Sequence, residues 1–310
     1  MRAMQQPQPE SALASDNVQT ITQLARDASI ELNIQDLKEL EASRVLLPRG
    51  KRIYISHLPR QRWDETLVAC KRVDGAGFDP IPHIPVRLVE SEATIDRILE
   101  SFFAAGVREV LLVGGDYAEA AGPYSAVADV LRDGKLNQHG FTRVSLVGHP
   151  EGHPTVALDE IRRAEREKAA FAAQLGLETT FVTQFFFEAR PFLQWAAESR
   201  AQGMGRARLV AGLAGPAGIA RLLKFAKRCG AGASIRALVA RPSAFAKLMG
   251  DHGPDEVMRD LAVAYEEDSS TFSGLHFFCF GGYLRTCEWL SKVAAGLIRL
   301  QGRGFAVEEA

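Results

Sequence analysis

The chain lacks most of what a secreted, membrane-bound or nucleic-acid-binding protein needs. Its 310 residues carry a formal net charge of −1, so there is no surplus of cations to hold a phosphate backbone or an anionic bilayer. The four cysteines, Cys70, Cys229, Cys279 and Cys287, form no Cys-x-x-Cys pair. Cys279 and Cys287 lie in apolar surroundings and read as buried, reduced thiols, which places the expected compartment in the cytoplasm. No apolar run reaches transmembrane length. The opening "MRAMQQPQPESALASDNVQT" has no apolar signal core, and its Gln, Pro and Ser content predicts a flexible tail over residues 1–20. Residues 21–310 are then expected to form one catalytic domain.

Three motifs are also missing or incomplete. There is no Gly-x-Ser-x-Gly nucleophile elbow. "AGLAGPAG" follows a strand and opens a helix, as a phosphate loop would, but has neither Gly-x-Gly-x-x-Gly order nor a Lys-Ser/Thr pair. "GMGRAR" lacks its third glycine. These glycines read more simply as tight turns and close helix–strand packing.

What is present is an alternation of two periods. Short apolar runs predict strands at 29–33, 52–56, 80–86, 108–113, 143–147, 179–185, 207–212 and 275–280. Most are continuous rather than alternating, as in strands buried on both faces of a parallel sheet. Helical periodicity falls between them, at 62–75, 92–105, 122–133, 158–175, 189–202, 216–228 and 282–301. In "TIDRILESFFAAG" the residues Ile95, Ile98, Leu99, Phe102 and Phe103 share one face, and Gly106 closes the helix. Eight such units predict an α/β fold, a (β/α)8 TIM barrel. An extra helical segment is expected within 229–274, before the last strand. A doubly wound open sheet has the same periodicity and remains the alternative.

A barrel concentrates chemistry at the C-terminal ends of its strands. Those positions hold Glu31 and Asn33, Ser56 and His57, His83, Gly114, Gly115 and Asp116, the His149–His153 loop, Thr183 and Gln184. Glu31 ends an apolar run, where a charge is expensive unless it has work to do. With Asp116 it offers two carboxylates whose surroundings can separate their pKa values for acid–base work. As a simpler reading, Asp116 caps the next helix. Gln184 can donate and accept at once, which suits the edge of a flat heterocycle. Three consecutive Phe residues, 185–187, cannot all face one way, so some aromatic surface should reach the rim. In "GHPEGHP" the prolines after His149 and His153 disfavour helix at both histidines. The segment should then be extended, and a polar pocket-lining loop is favoured over a metal pair, with no metal ligands assigned.

Four ordered motifs, "PHIP", "GGD", "GHPEGHP" and "VTQFFFE", resemble those of the methylenetetrahydrofolate reductase family. That family carries Pro-His-Leu, Arg-Gly-Asp, Tyr-Pro-Glu-x-His-Pro and Thr-Gln-Phe-Phe-Phe-Asp at corresponding places, and "SIELN" looks like its Phe-Glu-Phe-Phe first strand. The resemblance spans about residues 28–300 and implies a flavin-dependent barrel that reduces 5,10-methylenetetrahydrofolate to its 5-methyl form with NADH or NADPH, in ping-pong fashion. It implies Glu31 as the catalytic acid, Asp116 beside flavin and pterin, and Gln184 on the pterin. Ser56, His83, Gly114, Gly115, Asp116, His149, His153 and Lys168 would hold FAD. The implied partners are the folate and the nicotinamide, with no nucleic acid or membrane; a homo-oligomer stays open. The chain also departs from the pattern. The Arg before Gly-Asp is Gly114, the Tyr of the Pro-Glu loop is His149, and Asn33-Ile34-Gln35 replaces Phe-Pro-Pro. These departures keep a second reading alive, a folate- or partner-binding barrel without reductase chemistry. A third, a metal hydrolase using His149 and His153, predicts bound zinc.

Overall fold

All eight apolar runs form strands in a computed structural model of the chain, and the strands close on themselves as a parallel barrel, β1 to β8 in sequence order. The structure describes residues 11–115, 117, 119–217, 253–280 and 282–309, with side chains from Asn17 onward. The strands are β1 (Ser29–Leu32), β2 (Arg52–Ile55), β3 (Asp79–Pro85), β4 (Glu109–Val113), β5 (Arg143–Gly148), β6 (Glu178–Phe185), β7 (Arg208–Ala214) and β8 (Gly274–Phe278). The described helices are α1 (Ser11–Asp27), α2 (Leu40–Ser43), α3 (Trp63–Gly75), α4 (Glu92–Ala104), α5 (Val127–Arg132), α6 (Lys135–Gln138), α7 (Leu158–Gln174), α8 (Ala189–Ala201), α9 (Asp255–Glu267) and α10 (Tyr283–Ala294). A closed parallel barrel rules out the open-sheet alternative. Among the described residues, no helix is long and apolar enough to cross a membrane.

Alternation along each strand sorts the two cores. Ile30, Leu32, Ile53 and Ile55 face outward and pack with the helices into the main core. Tyr54, Ile81, Leu111, Val182 and Val210 face inward and fill the barrel waist. Below the waist the floor is polar and fully paired. Arg52 Nη2 donates to Glu109 Oε1 at 2.7 Å, Ser145 Oγ donates to the same oxygen at 2.6 Å, and the Tyr54 hydroxyl lies 2.8 Å from Ser145 Oγ. The buried charge of Glu109 is thus matched where it sits.

Helix α4 follows the expected pattern. Ser91 caps it by accepting from Thr94 N, and Ile95, Ile98, Leu99 and Phe102 are buried.

Four expectations need correction. The helix α1 begins at Ser11, so half of the stretch assigned to a flexible tail is helical. Its residues Ile21, Leu24 and Ala25 bury against the core, and burial of an apolar face overrides a polar composition. The helix expected over 122–133 is only Val127–Arg132, because Asp129 accepts from Ser125 N and Ala126 N and fixes the start there. The helix expected over 282–301 stops at Ala294. Gly296, at φ 77°, and Leu297 return hydrogen bonds to Val293 O and Lys292 O, a Schellman closure. The chain then forms an antiparallel hairpin, β9 (Ile298–Gln301) and β10 (Gly304–Val307). Finally, a 3-10 helix, Ile34–Glu39, and α2 fill the crossover after β1, where no helix was expected. The extra segment before the last strand includes α9; the helix expected over 216–228 lies outside the described residues from residue 218 on.

Candidate active site

Three rim residues singled out in the sequence converge. Glu31 lies between Ile30 and Leu32, both fully buried in the outer core, so its own side chain points into the barrel. Ser56, just past β2, hydrogen-bonds the Glu31 carboxyl. His83, on β3, brings Nε2 to 3.8 Å from Glu31 Oε2. Burial dominates the carboxyl: it raises the Glu31 pKa to about 7, with Asp36 adding to the rise and the Ser56 bond opposing it. Burial, reinforced by His57, lowers the His83 pKa to about 3. At neutral pH the pair is therefore a half-protonated acid facing a neutral imidazole. His83 Nε2 is buried with no hydrogen-bond partner among the described residues, so a polar group on a bound molecule would complete it.

The second strand offered Ser56 or His57, and the structure separates them. His57 turns outward, stacks on Trp63 at 4.0 Å and pairs through Nδ1 with Thr66 Oγ1 at 2.8 Å. Asn33 has a local job: it caps the 3-10 helix by accepting from Gln35 N and donates to Asp36.

An aromatic shelf lies on β6 and β8, the latter adjoining β1. Phe186 turns away and stacks on Phe192 in the outer core, whereas Phe185 packs edge-on against Phe187, Phe278 and Phe280. Phe278 and Phe280 lie nearly parallel at 6.0 Å, and Phe280 holds the left-handed φ of 47°, a conformation that costs a bulky residue energy and tends to persist where a site needs it. The register Ile30↔Phe277 sets Glu31 level with Phe278 on the adjoining strand. Gln184 sits half-buried beside a bulge in the β6–β7 ladder, where Gly212 N donates to Thr183 Oγ1 at 2.9 Å.

The Pro-Glu loop is turned, not extended as its prolines suggested. Gly152 N donates to His149 O, which makes Pro150 the second residue of a β-turn, a position its fixed φ favours. The rings of His149 and His153 consequently meet edge-on at 5.9 Å. Sequence reasoning missed what holds this loop. Glu165, buried on α7, accepts from His149 N at 2.8 Å, Trp195 Nε1 at 3.0 Å and Arg162 Nη1 at 3.0 Å. Arg162 also donates to His149 O and Pro150 O. Gly148 is obligatory here, since an added Cβ would lie 2.6 Å from the Trp195 ring. The missed signal was helical spacing: Ile161, Glu165, Lys168 and Ala172 fall on one stripe of α7, so two charges occupy the core-facing side.

Lys168 points inward. Its Nζ donates to Val147 O at 3.1 Å and lies 5.7 Å from the Phe181 ring centroid, and burial lowers its pKa. His149 is held neutral, its pKa lowered to about 3 by burial and then by Lys168, His153 and Arg162. Gly115 adopts φ 88°, with Tyr117 and Pro85 where a side chain would go, while a Cβ on Gly114 would meet nothing within 4 Å. Asp116 lies outside the described residues.

A closed (β/α)8 barrel with a carboxyl of raised pKa at its C-terminal mouth defines a small-molecule site in the place where such barrels do chemistry. Residues 61–266, more than half of the chain, match the family described as Methylenetetrahydrofolate reductase, and the chain belongs to that family. Glu31 and Ser56 precede the matched segment, so their placement rests on the geometry above. Among solved structures the chain is similar to an uncharacterized protein from Clostridium thermocellum that binds two copies of 5-methyl-5,6,7,8-tetrahydrofolic acid. The TM-score is 0.55 at 12% identity, with 88% of this chain and 97% of that one covered. At that identity the likeness speaks for the fold.

Proposed function

We propose that the barrel reduces a folate-borne one-carbon unit, converting 5,10-methylenetetrahydrofolate to 5-methyltetrahydrofolate with electrons from NADH or NADPH. The observation that carries this reading is Glu31, a carboxyl with a pKa near 7 at the rim of a chain from this family. A proton from Glu31 to the bridging nitrogen of the substrate opens the five-membered ring and leaves an iminium carbon ready for hydride. Ser56 and His83 orient the acid. Gln184 pairs with the pterin edge, the resemblance adds Asp116, which lies outside the described residues, and Phe278 and Phe280, backed by the buried Phe185, stack on a flat ring. The solved neighbour's ligand, a 5-methyl folate, supports the substrate class.

The resemblance also implies FAD, and the described residues fit it only in part. The unpaired His83 Nε2 and the open space above Gly114 suit a flat polar ring. The pyrophosphate finds no free partner in Lys168 or Arg162 among the described residues, since both spend hydrogen bonds on the chain's own carbonyls.

A second reading, a folate-binding barrel without chemistry, draws on the same neighbour. Turnover with methylenetetrahydrofolate and each nicotinamide, with and without added FAD, decides between them. Formation of the 5-methyl product supports reduction. Tight binding of 5-methyltetrahydrofolate by calorimetry, with no product under any condition, establishes the second reading instead.

A further inference from the structure

A flavin dinucleotide that stays bound through many turnovers needs its pyrophosphate anchored, by cations or by free N–H groups at a helix N-terminus. The mouth of the barrel on the side of β3, β4 and β5 offers neither among its described residues. Arg87, after β3, donates through Nε to Ser125 O at 2.8 Å and through Nη1 to Tyr117 O at 2.9 Å, fastening the loop that follows β4. Arg162 is shared among His149 O, Pro150 O and Glu165. The Lys168 amine is committed to Val147 O against the Phe181 ring. Gly114 carries no side chain at all.

The helix starts are closed to anions as well. Asp129 already occupies the first turn of α5, accepting from Ser125 N and Ala126 N. The first turn of α7 carries Asp159 and Glu160, two charges that repel a phosphate. Cations turned inward and helix starts filled by carboxylates are independent features, and they point the same way. A nicotinamide donor that leaves after each turnover does not need such an anchor; it needs a surface to stack on, and the half-buried Phe278 and Phe280 rings offer one.

We infer that hydride passes directly from the reduced nicotinamide to the folate in this barrel, with no resident FAD between them. The inference rests on the reductase reading above. Glu31 gives its proton to the bridging nitrogen and the bond from that nitrogen to the methylene carbon breaks. The C4 hydride of NADH or NADPH then forms the new C–H bond at that carbon. The nicotinamide leaves oxidised, the folate leaves as its 5-methyl form, and Glu31 regains a proton from water.

Deuterium on the transferring C4 position of the nicotinamide tests the route. Direct transfer carries the label into the product methyl, even in ordinary water, and gives intersecting initial-rate lines because both substrates are bound together. A flavin relay loses label to solvent from the reduced flavin nitrogen and gives parallel lines. Titration with FAD, followed by flavin fluorescence, should show no saturable quenching. Label washed out, parallel lines, stoichiometric FAD binding, or turnover that appears only when FAD is added each overturns the inference while leaving the reductase reading intact. No turnover with or without FAD overturns both.

Discussion

Glu31 states its case through its proton. Folding raises its pKa from 4.5 to about 7 because burial disfavours the charged form. The stability this carboxyl contributes is therefore complete below pH 4.5 and is lost as pH rises through 7, a cost of about 3 kcal/mol at the alkaline end. Glu31→Gln should match the parent in thermal unfolding near pH 4 and exceed it at pH 8; equal stability at both would mean the carboxyl is solvated. Its turnover should drop by about 10²–10⁴-fold, while that of the parent declines as pH climbs above 7. Glu31 was legible because a charge at the end of an apolar run has few structural uses. Ser56 and His83 were legible as polar residues at strand ends. Their contact was not, since nothing in one sequence fixes which inward side chains meet across a barrel. Asp116, singled out in the sequence after the Gly-Gly that ends the fourth strand, lies outside the described residues.

At the scale of elements, α7 and the loop after β5 behave as one part. Glu165 is the shared acceptor, and removing it strands the His149 N–H, the Trp195 Nε1–H and the Arg162 guanidinium in poorly solvated positions. Glu165→Leu should cost about 3–5 kcal/mol, measured as a lower urea midpoint. Glu165→Gln, which keeps one acceptor, should recover part of that; identical midpoints for the leucine variant and the parent would dismiss the clamp. Gly148→Ala drives a methyl group into the Trp195 ring and should cost about 1–3 kcal/mol by the same measurement. The eight strands could be read because a strand buried on both faces has an unbroken apolar run. The hairpin of β9 and β10 could not, because four-residue strands beyond a helix give too short a pattern to interrupt the helical period. Gly296 was the available sign, a left-handed stop inside an otherwise periodic stretch. The two charges on the buried stripe of α7 were visible too, but only to a reading that asks which face each residue takes.

For the molecule as a whole, histidine sets the acid limit. Burial lowers the pKa of His57 to about 4, of His83 and His149 to about 3, and of His276 well below its ordinary 6.5. Each contributes stability that is present above pH 6.5 and lost as pH falls toward these values, since the unfolded chain takes up protons that the folded one refuses. Glu31 works in the opposite sense between pH 4.5 and 7, and burial raises the Asp36 and Asp260 carboxyls in the same direction, but these three are set against four imidazoles. The melting temperature should fall steadily from pH 7 to pH 4; a flat profile over that range would sink the assignment of these rings as buried and neutral. The closure of the barrel has one more result. Strand β1 pairs with β8, and α1 packs against α9 and α10. A ribosome releases the first of these partners long before it makes the last, so β1 keeps an open edge and α1 a bare apolar face until β8, α9 and α10 emerge. Closure of the barrel must wait until β8 and α10 have emerged, and a nascent chain stalled before β8 should be a substrate for chaperones.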